Sequence, residues 1–157
     1  VYKRQGLKTV IHKARMEKIN ETPCIIFDGG HNESAIQNLK DNIKQYYSDK
    51  KHVYIISILQ TKDHNTIIEE LSSDKEAIFY FTDGVPEKPY VAKEVLLEEA
   101  NRYIEKERIK TKSLEDAINE TMDKYSDRDI FIAGSFYGYK KVMELLKKCW
   151  KMSKIVI

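Results

Sequence analysis

An acid, two glycines, a histidine and an asparagine follow one another at Asp28-Gly29-Gly30-His31-Asn32, directly after the apolar run Pro23-Cys24-Ile25-Ile26-Phe27. Beyond Asn32, a residue suited to capping a helix, Ile36, Leu39, Ile43 and Tyr47 recur at spacings of three and four, the period of an amphipathic helix. Asp28 and His31 therefore project from a strand–turn–helix junction. In an open parallel sheet such junctions lie outside the carboxyl ends of the strands, where ligands bind. The helix start adds free N–H groups and positive partial charge that favour an anion. A carboxylate suited to a ribose diol beside such a start reads as one half of a nucleotide site. Residue type alone leaves other readings open: Asp28 as a turn cap, His31 as a half-buried, satisfied histidine, and Arg15 as a surface residue between two strands. Asp28, at a strand end, is expected to be dispensable for folding, and Glu17 to support its strand.

Other candidates resolve less far. Ser135 invites a nucleophile reading, but Ala133 and Tyr137 stand where a nucleophile elbow needs glycine. It is read as the cap of the last helix. Lys62-Asp63 reads as a helix start with Asp63 near the positive end. His12, His31, His52 and His64 show no metal-ligand spacing, so no metal site is expected. The chain contains no Gly-x-x-x-x-Gly-Lys-Ser/Thr, and Gly29-Gly30 lacks the third glycine of a dinucleotide fingerprint. Nothing in it would hold a γ-phosphate and Mg²⁺ unaided.

The elements that must position these residues alternate. Apolar runs predict strands over 7–12, 16–20, 24–28, 53–58, 77–81 and 130–133, and helical periodicity predicts helices over 33–47, 65–71, 90–106, 114–125 and 136–148. The third to sixth strands are continuously apolar, as strands covered on both faces are. Ser113 with Asp116 resembles a capping box. In the last helix Tyr139, Val142, Met143, Leu146 and Trp150 form a core-facing stripe, and Lys140, Lys141, Lys147 and Lys148 lie off it. Residues 155–157 read as an edge strand or a tail. The expected class is α/β: a Rossmann-like, mostly parallel sheet of about six strands with helices on both faces.

With 157 residues the chain forms one domain with a proper core. Its 27 basic and 25 acidic residues leave a formal charge of +2, too balanced for a nucleic-acid-binding field. No apolar run approaches membrane length and no signal peptide pattern opens the chain. Cys24 and Cys149 share no short spacing and read as a buried, reduced pair. The first residue, Val1, and the abrupt opening suggest a piece of a longer polypeptide.

Three segments carry a resemblance. Asp28-Gly29-Gly30-His31-Asn32 resembles the Asp-Gly-Ala-His-Asn signature of the folylpolyglutamate and dihydrofolate synthetases, with Gly30 where alanine is usual. Ala14-Arg15-Met16-Glu17 resembles that family's Gly-Arg-hydrophobic-Glu motif, although His12-Lys13-Ala14 replaces Trp-Pro-Gly. Ile132-Ala133-Gly134-Ser135-Phe136-Tyr137 resembles its Thr-Gly-Ser-Leu-Tyr strand end, and Lys62-Asp63 its Asp-Lys-Asp segment, with Thr61 in place of the first acid. The resemblance implies residues 21–157 as a Mur-ligase-type C-terminal domain. Residues 1–20 would be an inter-domain linker and leading strands, with the P-loop ATPase domain outside this chain. It implies ATP binding by Arg15, Asp28 and His31, with Asp28 on the ribose and the other two near the phosphates, and contact of Ser135 with L-glutamate. Mg²⁺ would be held mainly by the missing N-terminal domain. The implied enzyme is an ATP-dependent acid–amino-acid ligase adding L-glutamate to a folate or pteroate carboxylate through an acyl phosphate, monomeric and cytoplasmic. This chain alone would be inactive. Two alternatives stand beside it. A Mur-type peptidoglycan ligase would carry an Asp-Asn-Pro-Arg loop where Thr82-Asp83-Gly84-Val85-Pro86-Glu87 lacks the arginine. A flavodoxin- or receiver-like module is the other; a receiver needs paired acids at its first strand end and a phosphoacceptor aspartate two strands on, whereas Asp28 is unpaired and the strand ending at Ile58 leads to no aspartate before Asp63.

Overall fold

A computed structural model describes residues 13–153. In chain order they form β1 (Glu17–Asn20), β2 (Ile25–Asp28), α1 (Glu33–Tyr46), β3 (His52–Ile56), α2 (His64–Leu71), β4 (Ile78–Phe81), α3 (Lys93–Ala100), β5 (Ile109–Thr111), α4 (Leu114–Lys124), β6 (Asp129–Ala133) and α5 (Tyr139–Ser153). The sheet order is β1-β2-β6-β3-β4-β5. Only the β1–β2 pairing is antiparallel.

Period-two alternation sorts the strand residues into two cores. Ile26, Tyr54, Ile56, Phe79, Phe81 and Phe131 pack with α1, α2 and α3 through Ile36, Leu39, Ile67, Ile68 and Leu96. On the other face, Ile25, Phe27, Val53, Ile55, Ile130 and Ile132 pack with α4 and α5 through Ala117, Ile118, Val142 and Leu146. Adjacent strands β2 and β6 thus send their following helices, α1 and α5, to opposite faces. This makes the gap at their carboxyl ends a topological switch point, the usual place for a ligand.

Several expectations are corrected. The helix over 90–106 shrinks to Lys93–Ala100, because Tyr90 is extended and bridges Leu59, and the Asp83 carboxylate accepts the Lys93 N–H at 2.9 Å. Strand β5 was not foreseen, since Ile109-Lys110-Thr111 contains one apolar residue and an edge strand needs only one buried side. The first strand begins at Glu17, because Met16 has φ of +43°. The last helix opens with a 3-10 turn, Phe136–Gly138, before α5. Cys24 and Cys149 are half-buried, not buried. The expected strand over 7–12 and the 155–157 segment lie outside the described residues.

Candidate functional site

Asp28 closes β2 and is only 6% exposed. Its Oδ1 accepts the Gly30 N–H at 2.7 Å and its Oδ2 accepts the Met16 N–H at 3.0 Å. It therefore ties together the turn that follows it and the loop that precedes β1. Asp28 thus has a structural part beyond the turn-cap reading, because removing it leaves two backbone donors without this partner. Gly30 fits this arrangement closely. A Cβ there would sit 2.8 Å from Asp28 Oδ1 and 2.9 Å from Ala35 Cβ, so alanine would force Asp28 or α1 to move. Asn32 caps α1, its Oδ1 accepting the Ala35 N–H at 2.9 Å.

His31 stands in the turn between β2 and α1. Its Nδ1 lies 3.1 Å from the Gly29 carbonyl, which can only accept, so Nδ1 carries a proton and Nε2 is left for a ligand. Arg15 projects from the loop before β1 with 53% of its side chain exposed. Its guanidinium lies 3.9 Å from Asp28 Oδ1, a loose pairing that leaves its donors available. Ser135 follows β6 and is 4% exposed. It caps the 3-10 turn, its Oγ accepting the Tyr137 N–H at 3.2 Å, and it lies 2.8 Å from the Tyr90 hydroxyl. Gly134, at φ +99°, allows β6 to end this way; a Cβ there would meet the Ser57 carbonyl at 2.5 Å.

Arg15, His31 and Ser135 line one cleft of about 460 Å³ together with Lys62, Leu59 and Tyr137. Asp28 lines a second cleft with Asn32, Ser34 and Asn38. Arg15 is common to both. The Lys62-Asp63 pair is divided by the fold. Asp63 caps α2 through the Thr66 N–H and hydroxyl, as a helix start would, while Lys62 lines the cleft. Two cations, a histidine and a serine hydroxyl around one cleft suit a polyanion such as a nucleotide phosphate chain. They do not suit Mg²⁺, which wants free carboxylate oxygens: Asp28 already accepts two backbone N–H groups, and among the described residues no three His, Cys, Asp or Glu side chains gather to hold a metal.

Sequence reasoning undervalued Glu17 and overlooked Tyr90 and Tyr139. Glu17 Oε2 accepts the Ala14 N–H at 2.6 Å and its Oε1 accepts the Tyr139 hydroxyl at 2.9 Å. Burial and this bond to Glu17 raise the Tyr139 pKa, so it stays a donor. The signal for Glu17 was its place two residues after Arg15. Tyr90 and Tyr139 had no local signal, because each meets its partner across long sequence separations.

Residues 11–145 match the family described as dihydrofolate synthetase, C-terminal domain. The folylpolyglutamate synthase of Lacticaseibacillus casei is 32% identical over 143 residues, covering 91% of this chain and 32% of that protein. The dihydrofolate synthase/folylpolyglutamate synthase of Bacillus subtilis (strain 168) is 28% identical over 83 residues, 53% of this chain and 19% of that one. Among solved structures, E. coli FolC in complex with DHPP and ADP superposes with a TM-score of 0.76 at 25% identity, over 92% of this chain and 34% of that one. This chain thus spans no more than 34% of the length of any of these three relatives.

Proposed function

This chain belongs to the dihydrofolate synthetase C-terminal-domain family, and on that premise we propose that it is the C-terminal domain of an ATP-dependent ligase that adds L-glutamate to a folate or pteroate carboxylate. The observation that carries the reading is the gathering of Arg15, His31, Lys62 and Ser135 around one cleft at the carboxyl ends of β2, β6 and β3, with Asp28 in a second cleft that Arg15 also lines.

In this reading the ribose hydroxyls donate to the second lone pairs of Asp28, whose first lone pairs hold the loop. Arg15 reaches the phosphates with a planar fork of donors, and His31 Nε2 and Lys62 lie beside them. A carboxylate oxygen of the pteroyl substrate attacks the γ-phosphorus and ADP leaves. The glutamate amine then attacks the acyl carbon and phosphate leaves. Ser135, which lines the same cleft, meets the incoming glutamate in this reading. The domain's contribution is to neutralise charge on the transferring phosphoryl group. In this reading the P-loop and the Mg²⁺ ligands belong to the rest of the polypeptide. The same reading carries a monomeric, cytoplasmic enzyme; among the described residues no helix is long and apolar enough to cross a membrane.

A ligation assay on the full-length polypeptide tests this, with ATP, L-glutamate and a reduced folate. Sustained ADP release, beyond the one equivalent per enzyme that acyl phosphate formation yields, is expected only when both other substrates are present, together with the mass of one added glutamate. Any ADP release without the folate, or sustained release indifferent to glutamate, overturns the reading. Calorimetry of the 157-residue chain alone with Mg-ATP is expected to show little heat, and sub-micromolar binding would overturn the divided site.

A further inference from the structure

Arg15 sits between two left-handed residues, neither of them glycine: Ala14 at φ +59° and Met16 at φ +43°. In that conformation an L-residue's Cβ crowds the following carbonyl, and it persists only where the surroundings over-determine it. Here they do. The Ala14 N–H donates to Glu17 Oε2 at 2.6 Å, and its carbonyl accepts the Gly29 N–H at 2.8 Å. The Met16 N–H donates to Asp28 Oδ2. Ala14 is fully buried, so no water replaces a bond lost there. Glu17 is in turn anchored by the Tyr139 hydroxyl at the start of α5, while the Tyr139 ring packs edge-on against Phe27 at 5.1 Å. Both Glu17 oxygens are thereby used inside the protein, and Glu17 lines neither cleft at the site. The Arg15 side chain itself makes only the loose 3.9 Å contact with Asp28. Its direction is consequently set by its backbone.

We propose that Glu17, anchored by Tyr139, is a positioning residue that locks Ala14 in the left-handed conformation and so aims Arg15 into the cleft. The proposal rests on the reading of Arg15 as a phosphate ligand. It also accounts for how alanine is tolerated at position 14, where glycine would adopt the same φ without help.

Steady-state kinetics and thermal unfolding of full-length variants test it. Glu17→Ala should lower kcat about ten- to hundredfold, toward the level of Arg15→Ala, with less than about threefold change in KM for ATP. The double variant Arg15→Ala/Glu17→Ala should be no slower than Arg15→Ala, because Glu17 acts through Arg15. Glu17→Gln keeps an oxygen for the Ala14 N–H and should recover most of the loss. Ala14→Gly in the Glu17→Ala background should recover part of it, since glycine does not need the clamp. If Glu17→Ala does not fold, Tyr139→Phe, which keeps the ring and removes the anchor, is expected to lower kcat about threefold. Wild-type kcat in Glu17→Ala or Tyr139→Phe, beside an impaired Arg15→Ala, overturns the proposal and leaves the proposed function standing. Full kcat in Arg15→Ala overturns the reading of Arg15 and this proposal with it.

Discussion

The two ends of the parallel strands carry similar residues in opposite conditions. At the amino end, His52 opens β3 and is nearly buried. Its Nδ1 lies 2.6 Å from Asp74 Oδ2 and its Nε2 lies 2.7 Å from the Tyr47 carbonyl, while the Tyr54 hydroxyl donates to the same Asp74 oxygen at 3.0 Å. Both ring nitrogens face groups that only accept, an arrangement that favours the imidazolium form of His52. A cleft of about 500 Å³ lies beside this network, and three of the four lysines along it are engaged: Lys40 with Glu70, Lys50 with Asp129 and Lys51 with Glu76, while Lys44 has no such partner among the described residues. At the carboxyl end, Arg15 is half exposed and loosely paired, and His31 has one nitrogen without a protein partner. Size of cavity does not separate the two ends; the state of the histidine does, with both nitrogens of His52 engaged and one of His31 free among the described residues. A network whose members satisfy one another stabilises the fold, whereas a cluster with capacity left over is fit for a ligand.

The comparison is broken most directly at the carboxyl end. Arg15→Ala in the full-length polypeptide is expected to lower kcat about a hundredfold while leaving the thermal midpoint unchanged, since the side chain holds nothing in place. Arg15→Lys should restore only part, because a point charge does not reproduce a bidentate fork. Wild-type turnover in Arg15→Ala would make this arginine an ordinary loop residue.

Asp28→Ala should blur the contrast, because Asp28 belongs to both categories. KM for ATP is expected to rise about tenfold or more from the lost acceptor, and stability to fall by about 2 kcal/mol as the Met16 and Gly30 N–H groups lose their partner. Kinetics and urea unfolding separate the two effects. A change in KM with unchanged stability would contradict the structural half of this account.

At the amino end the reverse outcome is expected. His52→Phe removes both donors, leaves the Tyr47 carbonyl and Asp74 short of partners, and should cost about 2 kcal/mol of stability with no change in kcat or KM of the folded enzyme. A specific loss of turnover would place chemistry at this end.

The smallest effect is the pH dependence of that network. Burial disfavours the His52 imidazolium, but its bonds to Asp74 and the Tyr47 carbonyl, with the nearby Asp129 charge, outweigh this and raise its pKa. Its stabilising contribution is therefore complete below about pH 6.5, the unfolded value, and is lost as pH rises through the folded one. Burial likewise opposes the Asp74 carboxylate, and His52 and Tyr54 overcome it, so its pKa is lowered. That contribution is complete above about pH 3.9 and is lost as pH falls through the folded value. The urea midpoint is expected to be higher at pH 6 than at pH 8.5, and the difference to shrink in His52→Phe. An unchanged difference in that variant would assign the pH dependence to other groups.

What the sequence determined by itself was local. The apolar runs at 24–28, 53–58, 77–81 and 130–133, the helical stripes of α1 and α5, and the caps at Asn32, Asp63 and Ser113 are written in residue type and spacing, and each formed where its own neighbours dictated. Asp28, His31 and Arg15 were legible as candidates because their motifs are contiguous. The tertiary structure decided everything that depends on meeting across the chain. It paired β5, whose single apolar residue gives no local signal. It unwound the expected helix at Tyr90 and turned that hydroxyl onto Ser135. It separated Lys62 from Asp63, one to the cleft and one to a helix cap. It made Asp28 a structural residue by bringing the Met16 N–H to its second oxygen. The physical reason is common to all four: a hydrogen bond or a buried face between distant residues exists only after the strands have stacked in order, and no local pattern of residues encodes which distant partner will arrive.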